Sequence, residues 1–239
     1  MAAPILNSAR IALPATINSA FDEFGALMQR TSRWIGTGLL LVAAAVPGFA
    51  ATTEMFRNEK VIVTEEALAP GEQETVAGEH PSVVVFLSGD SVEAKFADRT
   101  SKNAAVHPGD VINEAPGRRM VTNTGHTPLK LVRAEFLTEG SGETWGMTGL
   151  PPNYKVFFED RHSRTYEIRI APHAWEPQHT HHARVVVCLN GAQLEHVLPD
   201  GTKQPSTLKT DEVEWRQGQT HTGHNLGDTD LWVIAIEPK

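Results

Sequence analysis

Short runs of β-branched and other apolar residues recur along the chain after residue 50, with turn-forming residues between them. The runs cover residues 61–63, 83–87, 129–135, 166–170, 185–189 and 231–236. Pro-Gly, Ser-Gly, Asn-Gly and Asp-Gly pairs separate many of these runs, and no stretch after residue 50 has sustained helical periodicity. Many short strands punctuated by turns predict an all-β sandwich or barrel.

The chain contains an internal repeat with an offset of 102 residues. VVVFLSG, which begins at Val83, precedes VVVCLNG, which begins at Val185. Over residues 83–135 the same offset, without a gap, gives 14 identities in 53 positions, against about three expected for unrelated sequences of ordinary composition. The repeat predicts two similar β units, each large enough to fold as a small domain.

The segments outside the repeat set the predicted domain boundaries. Residues 138–154, TEGSGETWGMTGLPPNY, are rich in glycine and proline and are typical of a linker. We therefore expect a first unit at residues 51–137 and a second at residues 155–239. Residues 1–50 form an N-terminal extension.

The N-terminal extension has the order of a secretory signal peptide. Two arginines precede the apolar run LLLVAAAV at residues 39–46, and PGFA then places small residues before a cut after Ala50. The run is well short of the roughly 20 residues that a spanning helix needs, so we expect no stable membrane span. Translation starts at Met1 or Met28, and the prediction is an exported protein, periplasmic or extracellular. The alternative is an uncleaved tail on a cytoplasmic protein.

Charge and cysteine content narrow the possible partners. The formal net charge is −8 and the sequence has no long run of like charge, so nothing indicates a nucleic-acid partner. The one cysteine, Cys188, cannot form an internal disulfide, and its place within VVVCL predicts a buried strand position.

The stretch HTHHARVVVCLNG at residues 179–191 places three histidines in four positions. Alternate residues of a strand share a face, so His179 and His181 would project together while His182 points away. Two imidazoles form half of a metal site, and His221 would complete it if the strand that carries it pairs beside the first. Neutral imidazole suits zinc, nickel, copper and iron. The alternative is a solvated histidine-rich turn without function.

The two segments around these histidines resemble the two boxes of the cupin superfamily. PxHxHxxxxVVVxLxG is followed by DEVxWxxGxTHxxxNxGDT, and the likeness extends over residues 54–239 as two units. The resemblance implies two tandem double-stranded β-helix barrels of the jelly-roll type. It also implies a metal site, since His179, His181 and His221 match the three histidine positions of the family. Asn225 matches the asparagine that follows the second-box histidine.

One ligand position departs from the family pattern. Val185 and Val186 stand where the first box usually supplies a glutamate, so the resemblance implies a divalent ion held by three histidines alone. Iron(II) is the favoured ion, and zinc, manganese, nickel and copper are alternatives.

The first copy of the repeat lacks the histidines. Arg119 stands at the position of the third histidine, and the gap-free alignment puts Ala77 and Glu79 at the positions of the first two. An alignment with a gap would instead place Glu72 and Glu74 at the positions of the first two histidines. We interpret the first copy as a packing partner whose metal site is lost, with an altered carboxylate site as the alternative.

Three functions from different classes remain open. The first is a mononuclear non-haem metal dioxygenase acting on a small organic molecule, because three-histidine iron sites occur among cupin-like dioxygenases. The second is a non-catalytic protein that binds a metal or a small ligand, and the third is a structural two-barrel protein comparable to seed-storage relatives. No catalytic residue beyond the metal ligands is predicted. The expected partners are a small-molecule ligand or substrate and, in a possible homodimer, a second copy of the chain.

Overall fold

The described part of the chain is built from strands. The computed structural model describes residues 50–239 apart from residue 153, and 18 strands and no helix occur there. Each apolar run predicted to be a strand lies within one, so the all-β prediction is confirmed. The predicted signal segment at residues 1–49 lies outside the described residues, and the predicted cut after Ala50 directly precedes the first strand. No described segment forms a helix of the length and hydrophobicity that crossing a membrane requires.

The first barrel contains nine antiparallel strands in two sheets. The five-stranded sheet has the order β1-β2-β9-β4-β7 and the four-stranded sheet the order β3-β8-β5-β6. The strands are β1 (Ala51–Arg57), β2 (Val61–Leu68), β3 (Gln73–Val76), β4 (Ser82–Ser88), β5 (Ser91–Phe96), β6 (Ser101–Ala105), β7 (Val111–Glu114), β8 (Arg119–Asn123) and β9 (Leu129–Phe136).

The second barrel repeats this arrangement. Its sheets have the orders β10-β11-β18-β13-β16 and β12-β17-β14-β15, so adding nine to each strand number converts the first barrel into the second. The strands are β10 (Lys155–Glu159), β11 (Ser163–Ile170), β12 (His179–His181), β13 (Arg184–Asn190), β14 (Ala192–Val197), β15 (Lys203–Leu208), β16 (Val213–Arg216), β17 (Gln219–Asn225) and β18 (Leu231–Pro238). The repeat in the sequence is therefore a repeat in the fold.

The two barrels share one apolar core between their five-stranded sheets. The VVV run of each copy contributes its first and third valines to this core, because alternate residues of a strand face opposite sides. The middle valines, Val84 and Val186, instead pack inside their own barrels. The residues of the shared core include Val61, Val63, Val83, Val85, Phe136, Val185, Val187, Ile234 and Ile236. The central strands of each large sheet are therefore largely buried on both faces, whereas the edge strand β1 is exposed.

An asparagine closes the same corner in each barrel. Asn225 Nδ2 donates to the carbonyl oxygens of Ile170 at 3.0 Å and Thr229 at 2.8 Å, and its Oδ1 accepts from the Gly227 amide at 3.0 Å. Asn123 makes the equivalent three hydrogen bonds in the first barrel. Asn225 therefore anchors backbone rather than contacting the histidines, which explains why the asparagine recurs in both copies.

The segment predicted to be a linker packs against the second barrel. The buried Arg164 donates to the carbonyl oxygens of Gly146 and Thr148, and the Thr180 amide donates to the carbonyl of Gly149. Tyr154, at the end of the segment, is buried in the core of the second barrel. These contacts bring the segment next to the strand that carries the paired histidines.

We expect the shared core to dominate the stability of the two-barrel unit. Ile236 is fully buried there, so Ile236→Ala should lower the free energy of unfolding by roughly 2–5 kcal/mol through lost burial and a residual cavity. Met55→Ala removes a side chain that is 40% exposed and should cost less than about 1 kcal/mol. Denaturant unfolding measures both. Equal losses for the two variants would contradict the assigned core.

Candidate metal centre

Strand pairing brings the three predicted histidines together inside the second barrel. In the ladder between β12 and β17, His179 lies directly opposite His221, and His181 lies two residues along the same face of β12. The side chains are buried, with residue exposures of 2–5%, and one ligand atom from each lies within 4.8 Å of the others. His182 points away as expected, is exposed, and stacks on Trp145.

Hydrogen bonds orient two of the imidazoles. The His179 Nδ1 proton goes to the Pro177 carbonyl at 2.8 Å, because a carbonyl can only accept. Tyr166 donates its hydroxyl proton to Glu237 Oε1 at 2.8 Å, so its oxygen is left to accept from His181 Nδ1 at 2.7 Å. In both rings the proton is therefore on Nδ1 and the lone pair is on Nε2.

The remaining ring nitrogens converge at a distance that fits a metal ion, and the Tyr154 hydroxyl also lies 3.4 Å from His179 Nε2. The two Nε2 atoms of His179 and His181 lie 2.9 Å apart. Two neutral nitrogens that both present lone pairs at this distance repel each other unless a cation lies between them. Ligands about 2.1 Å from one ion, at roughly right angles, would be about 3 Å apart. His221 Nδ1 is also buried without a hydrogen-bond partner among the described residues. The donor set therefore fits a divalent ion.

Burial keeps the three imidazoles neutral. It lowers the pKa of His179, and it lowers the pKa of His181 still further, with the positive charge of Arg184 adding to the effect. Burial also lowers the pKa of His221 to about 2, assisted by the neighbouring His196. Neutral imidazole is the form that binds metals, so these side chains need not lose protons to do so near neutral pH.

A carboxylate that the sequence analysis did not identify lies beside the histidines. Glu176 is 5% exposed, and its Oε2 is 4.0 Å from His179 Nε2. Its other oxygen, Oε1, has no hydrogen-bond partner among the described residues, and burial raises its pKa to about 7. Val185 and Val186 do stand where the family glutamate would be, but a carboxylate reaches this region from a residue that precedes the histidine pair.

Two adjoining cavities lie beside the histidines. The inner one, about 30 Å³, is bordered by His181, His221 and Glu176 and by apolar side chains of the barrel. The outer cleft, about 370 Å³, is lined largely by polar residues of β15, β16 and the turn into β17. Three side chains line both cavities and so form the neck between them: Arg184, His196 and Arg216.

The alternation of side chains along a strand could have identified two residues of this neck, Arg184 and His196, from the sequence. Val186 and Cys188 of β13 face the barrel interior, and Arg184 shares their parity. Leu194 faces inward from β14, and His196 lies two residues later on the same face. His196 stacks on His221, with ring centroids 4.3 Å apart. Glu176 has no such signal, because it lies outside the strands.

The first barrel contains a salt-bridge network in the equivalent region. Arg119, in the place of His221, pairs with Glu114, which also pairs with Arg133. Arg133 Nε lies 2.6 Å from Glu66 Oε1. Burial opposes the charge on Arg133, but the two carboxylates raise its pKa further above its ordinary value. Two guanidinium groups are thus matched by two carboxylates.

Strand register corrects one detail of the sequence alignment. Val76 lies opposite Arg119, as His179 lies opposite His221. The residue equivalent to His179 is therefore Val76, one position before Ala77, and the mistake arose because the turn before β4 differs in length from the turn before β13. Neither residue can ligate a metal through its side chain.

Comparisons with known proteins define the fold. No protein-family model matches the chain, and no curated protein matches it by sequence. Among solved structures, AerE from Microcystis aeruginosa is similar at 14% identity and a TM-score of 0.57, over 80% of this chain and 97% of AerE. A cupin 2 conserved barrel domain protein from Leptotrichia buccalis is similar at 13% identity and a TM-score of 0.53, over 80% and 89% of the respective chains.

Oxalate decarboxylase from Bacillus subtilis, a protein with Mn(II) centres, is also similar. It matches at 12% identity and a TM-score of 0.54, over 79% of this chain and 72% of the decarboxylase. Likenesses at these identities show the fold alone. The chain has the cupin fold in two tandem barrels, and this prediction is confirmed. Metal binding by His179, His181 and His221 stays a prediction.

The buried imidazoles should make the metal-free protein sensitive to mild acid. Their folded-state pKa values lie below that of free histidine, near 6.5, so below this pH the unfolded chain binds protons that the folded chain does not. The free energy of unfolding should therefore be highest above pH 6.5 and fall between pH 7 and pH 5, by roughly 1–2 kcal/mol per histidine. Denaturant unfolding at several pH values measures this.

The variant His181→Asn separates the contribution of this histidine to the pH dependence of the free energy of unfolding from the contribution of the carboxylates. It should reduce the loss of stability between pH 7 and pH 5 relative to wild type. An unchanged loss in the variant would show that His181 is not held neutral by the fold.

Proposed function

We propose that the second barrel binds one divalent metal ion through His179, His181 and His221 and acts on a small organic molecule. The observation that carries the proposal is the approach of two Nε2 lone pairs to 2.9 Å, with the Nδ1 atoms of both rings already engaged. Such an arrangement is costly without a cation. Iron(II) is the preferred ion, and manganese(II) is the first alternative because the similar oxalate decarboxylase has Mn(II) centres.

Each residue around the centre would have a definite task. The Pro177 carbonyl and the pair of Tyr166 and Glu237 hold two imidazoles in the tautomer that binds metal. The inner cavity excludes bulk water through its apolar lining of Ile168, Ile170, Val186, Leu194, Leu208, Leu231 and Val233. Glu176 can hold a proton at its unpartnered Oε1 beside the reacting molecule.

Three neutral ligands favour reactions that use the charge of the ion. They leave a divalent cation with its full charge and with open coordination positions. The ion would supply Lewis acidity and, if it is iron, a means of activating dioxygen. We therefore propose a metal-dependent dioxygenase as the enzyme class. A non-catalytic metal-binding protein is the second candidate, favoured by the small volume of the inner cavity, about 30 Å³.

His181→Ala should abolish stoichiometric metal binding, because only two of three ligands remain. His182→Ala is the matched control: it removes the neighbouring imidazole, which is exposed and points away from the cluster. After incubation with excess metal and dialysis, elemental analysis should find about one equivalent in wild type and in His182→Ala, and far less in His181→Ala. Equal metal content in wild type and His181→Ala would refute the proposed site.

The dioxygenase proposal predicts substrate-dependent oxygen uptake. Protein loaded anaerobically with iron(II) should consume dioxygen when mixed with at least one member of a panel of phenols, thiols and diketones, as followed by an oxygen electrode. His181→Ala, treated in the same way, should show only the background rate. If wild type binds iron but consumes no oxygen with any of these compounds, the non-catalytic function takes precedence.

A further inference from the structure

Arg184 is a buried cation without a carboxylate partner. It is 4% exposed. Its Nε has no hydrogen-bond acceptor among the described residues, and Nη1 has one distant acceptor, the His182 carbonyl at 3.4 Å. No described carboxylate lies within ion-pair distance of Arg184. Every other buried cation of the described chain has one: Arg119 with Glu114, Arg133 with Glu66 and Glu114, Arg164 with Glu237, and Lys239 with Glu159.

The unpartnered guanidinium lies between the outer cleft and the proposed metal centre. Arg184 lines both cavities, and its charge contributes to the lowered pKa values of the neighbouring histidines His181, His196 and His221. The second arginine of the neck, Arg216, is already engaged, because it pairs with Glu214 at 2.5 Å and donates to Ser206 Oγ at 2.9 Å. Arg184 is therefore the available positive charge on the path to the histidines.

An isolated buried charge is strongly unfavourable, and a fold that retains one needs a compensating group. The equivalent inward position of the first barrel is Ser82, so the fold does not require an arginine here. A ligand that carries a negative charge would supply what the protein lacks. We propose that Arg184 recognises the carboxylate of a small organic acid, which enters through the outer cleft and is held next to the metal centre.

The surroundings of Arg184 favour a carboxylate over other anions. A guanidinium presents parallel N–H donors that match the two oxygens of a carboxylate. The neck has one unpaired cation, which suits a single negative charge better than the higher charge of phosphate. Apolar side chains next to it, including Val186, Leu194 and Leu208, suit the organic body of an acid. The inference rests on the proposed function only in identifying the barrel as a small-molecule site, because carboxylate binding needs no metal to be measured.

Calorimetry on the metal-free full chain tests the proposal. The probes are acetate, benzoate and succinate, each compared with its neutral amide, and inorganic phosphate. At least one carboxylate should bind more tightly than both its amide and phosphate. Arg184→Gln should weaken that binding by roughly tenfold to a hundredfold, whereas Arg161→Gln, a change at an exposed arginine, should leave it unchanged. The proposal is overturned if no carboxylate is preferred to its amide, if phosphate binds more tightly, or if Arg184→Gln binds as wild type does.

Thermal unfolding separates ligand recognition from a structural role. Because Arg184→Gln removes an uncompensated buried charge, the ligand-free variant should unfold at the same temperature as wild type or above it. A lower unfolding temperature, or failure to fold, would show that Arg184 supports the fold and would overturn the proposal. Elemental analysis keeps the two proposals distinct: Arg184→Gln should retain one equivalent of metal, and carboxylate binding by a wild-type protein that takes up no metal would refute the metal centre alone.

Discussion

The metal centre and the proposed carboxylate site of the second barrel depend on one constraint. A charge inside a barrel has to be compensated, because the strands remove their inward side chains from water. In the first barrel, Arg119 and Arg133 are compensated by Glu66 and Glu114. In the second barrel, neutral imidazoles occupy part of this region and Arg184 has no carboxylate in contact. In the first interior these charges are thus matched within the protein. In the second they are not, since its imidazoles can accept a cation and its guanidinium can accept an anion.

The shared core between the barrels explains how two such different interiors can exist on one scaffold. Identities between the two copies occur at residues that face this core, as in Val83 and Val185, and at the corners held by Asn123 and Asn225. Both sets of contacts are needed for the two large sheets to pack and for the strands to turn. Some inward positions are not subject to that requirement, and the two copies differ in chemistry there, as at Arg119 and His221 and at Ser82 and Arg184.

Local periodicity and the repeat were sufficient to predict an all-β chain of two similar units, and alternation along one strand placed His179 and His181 on one face. The jelly-roll barrels and the matching position of His221 came from the resemblance to the two cupin boxes. Glu176 could not be predicted in this way, because its approach to His179 depends on how the chain enters the barrel. The absence of an ion-pair partner for Arg184 could not be predicted either. Whether a charged residue has a partner depends on tertiary contacts, which the sequence does not show.

The central claim is that three imidazoles of the second barrel hold one metal ion. Anomalous diffraction from crystals of the metal-loaded protein, collected on both sides of the absorption edge of the added metal, tests it most directly. The account predicts a single strong anomalous peak within bonding distance of His179, His181 and His221, and none among the paired arginines and glutamates of the first barrel. A metal-loaded crystal with no peak between the three histidines, or with its peak elsewhere, would contradict the account.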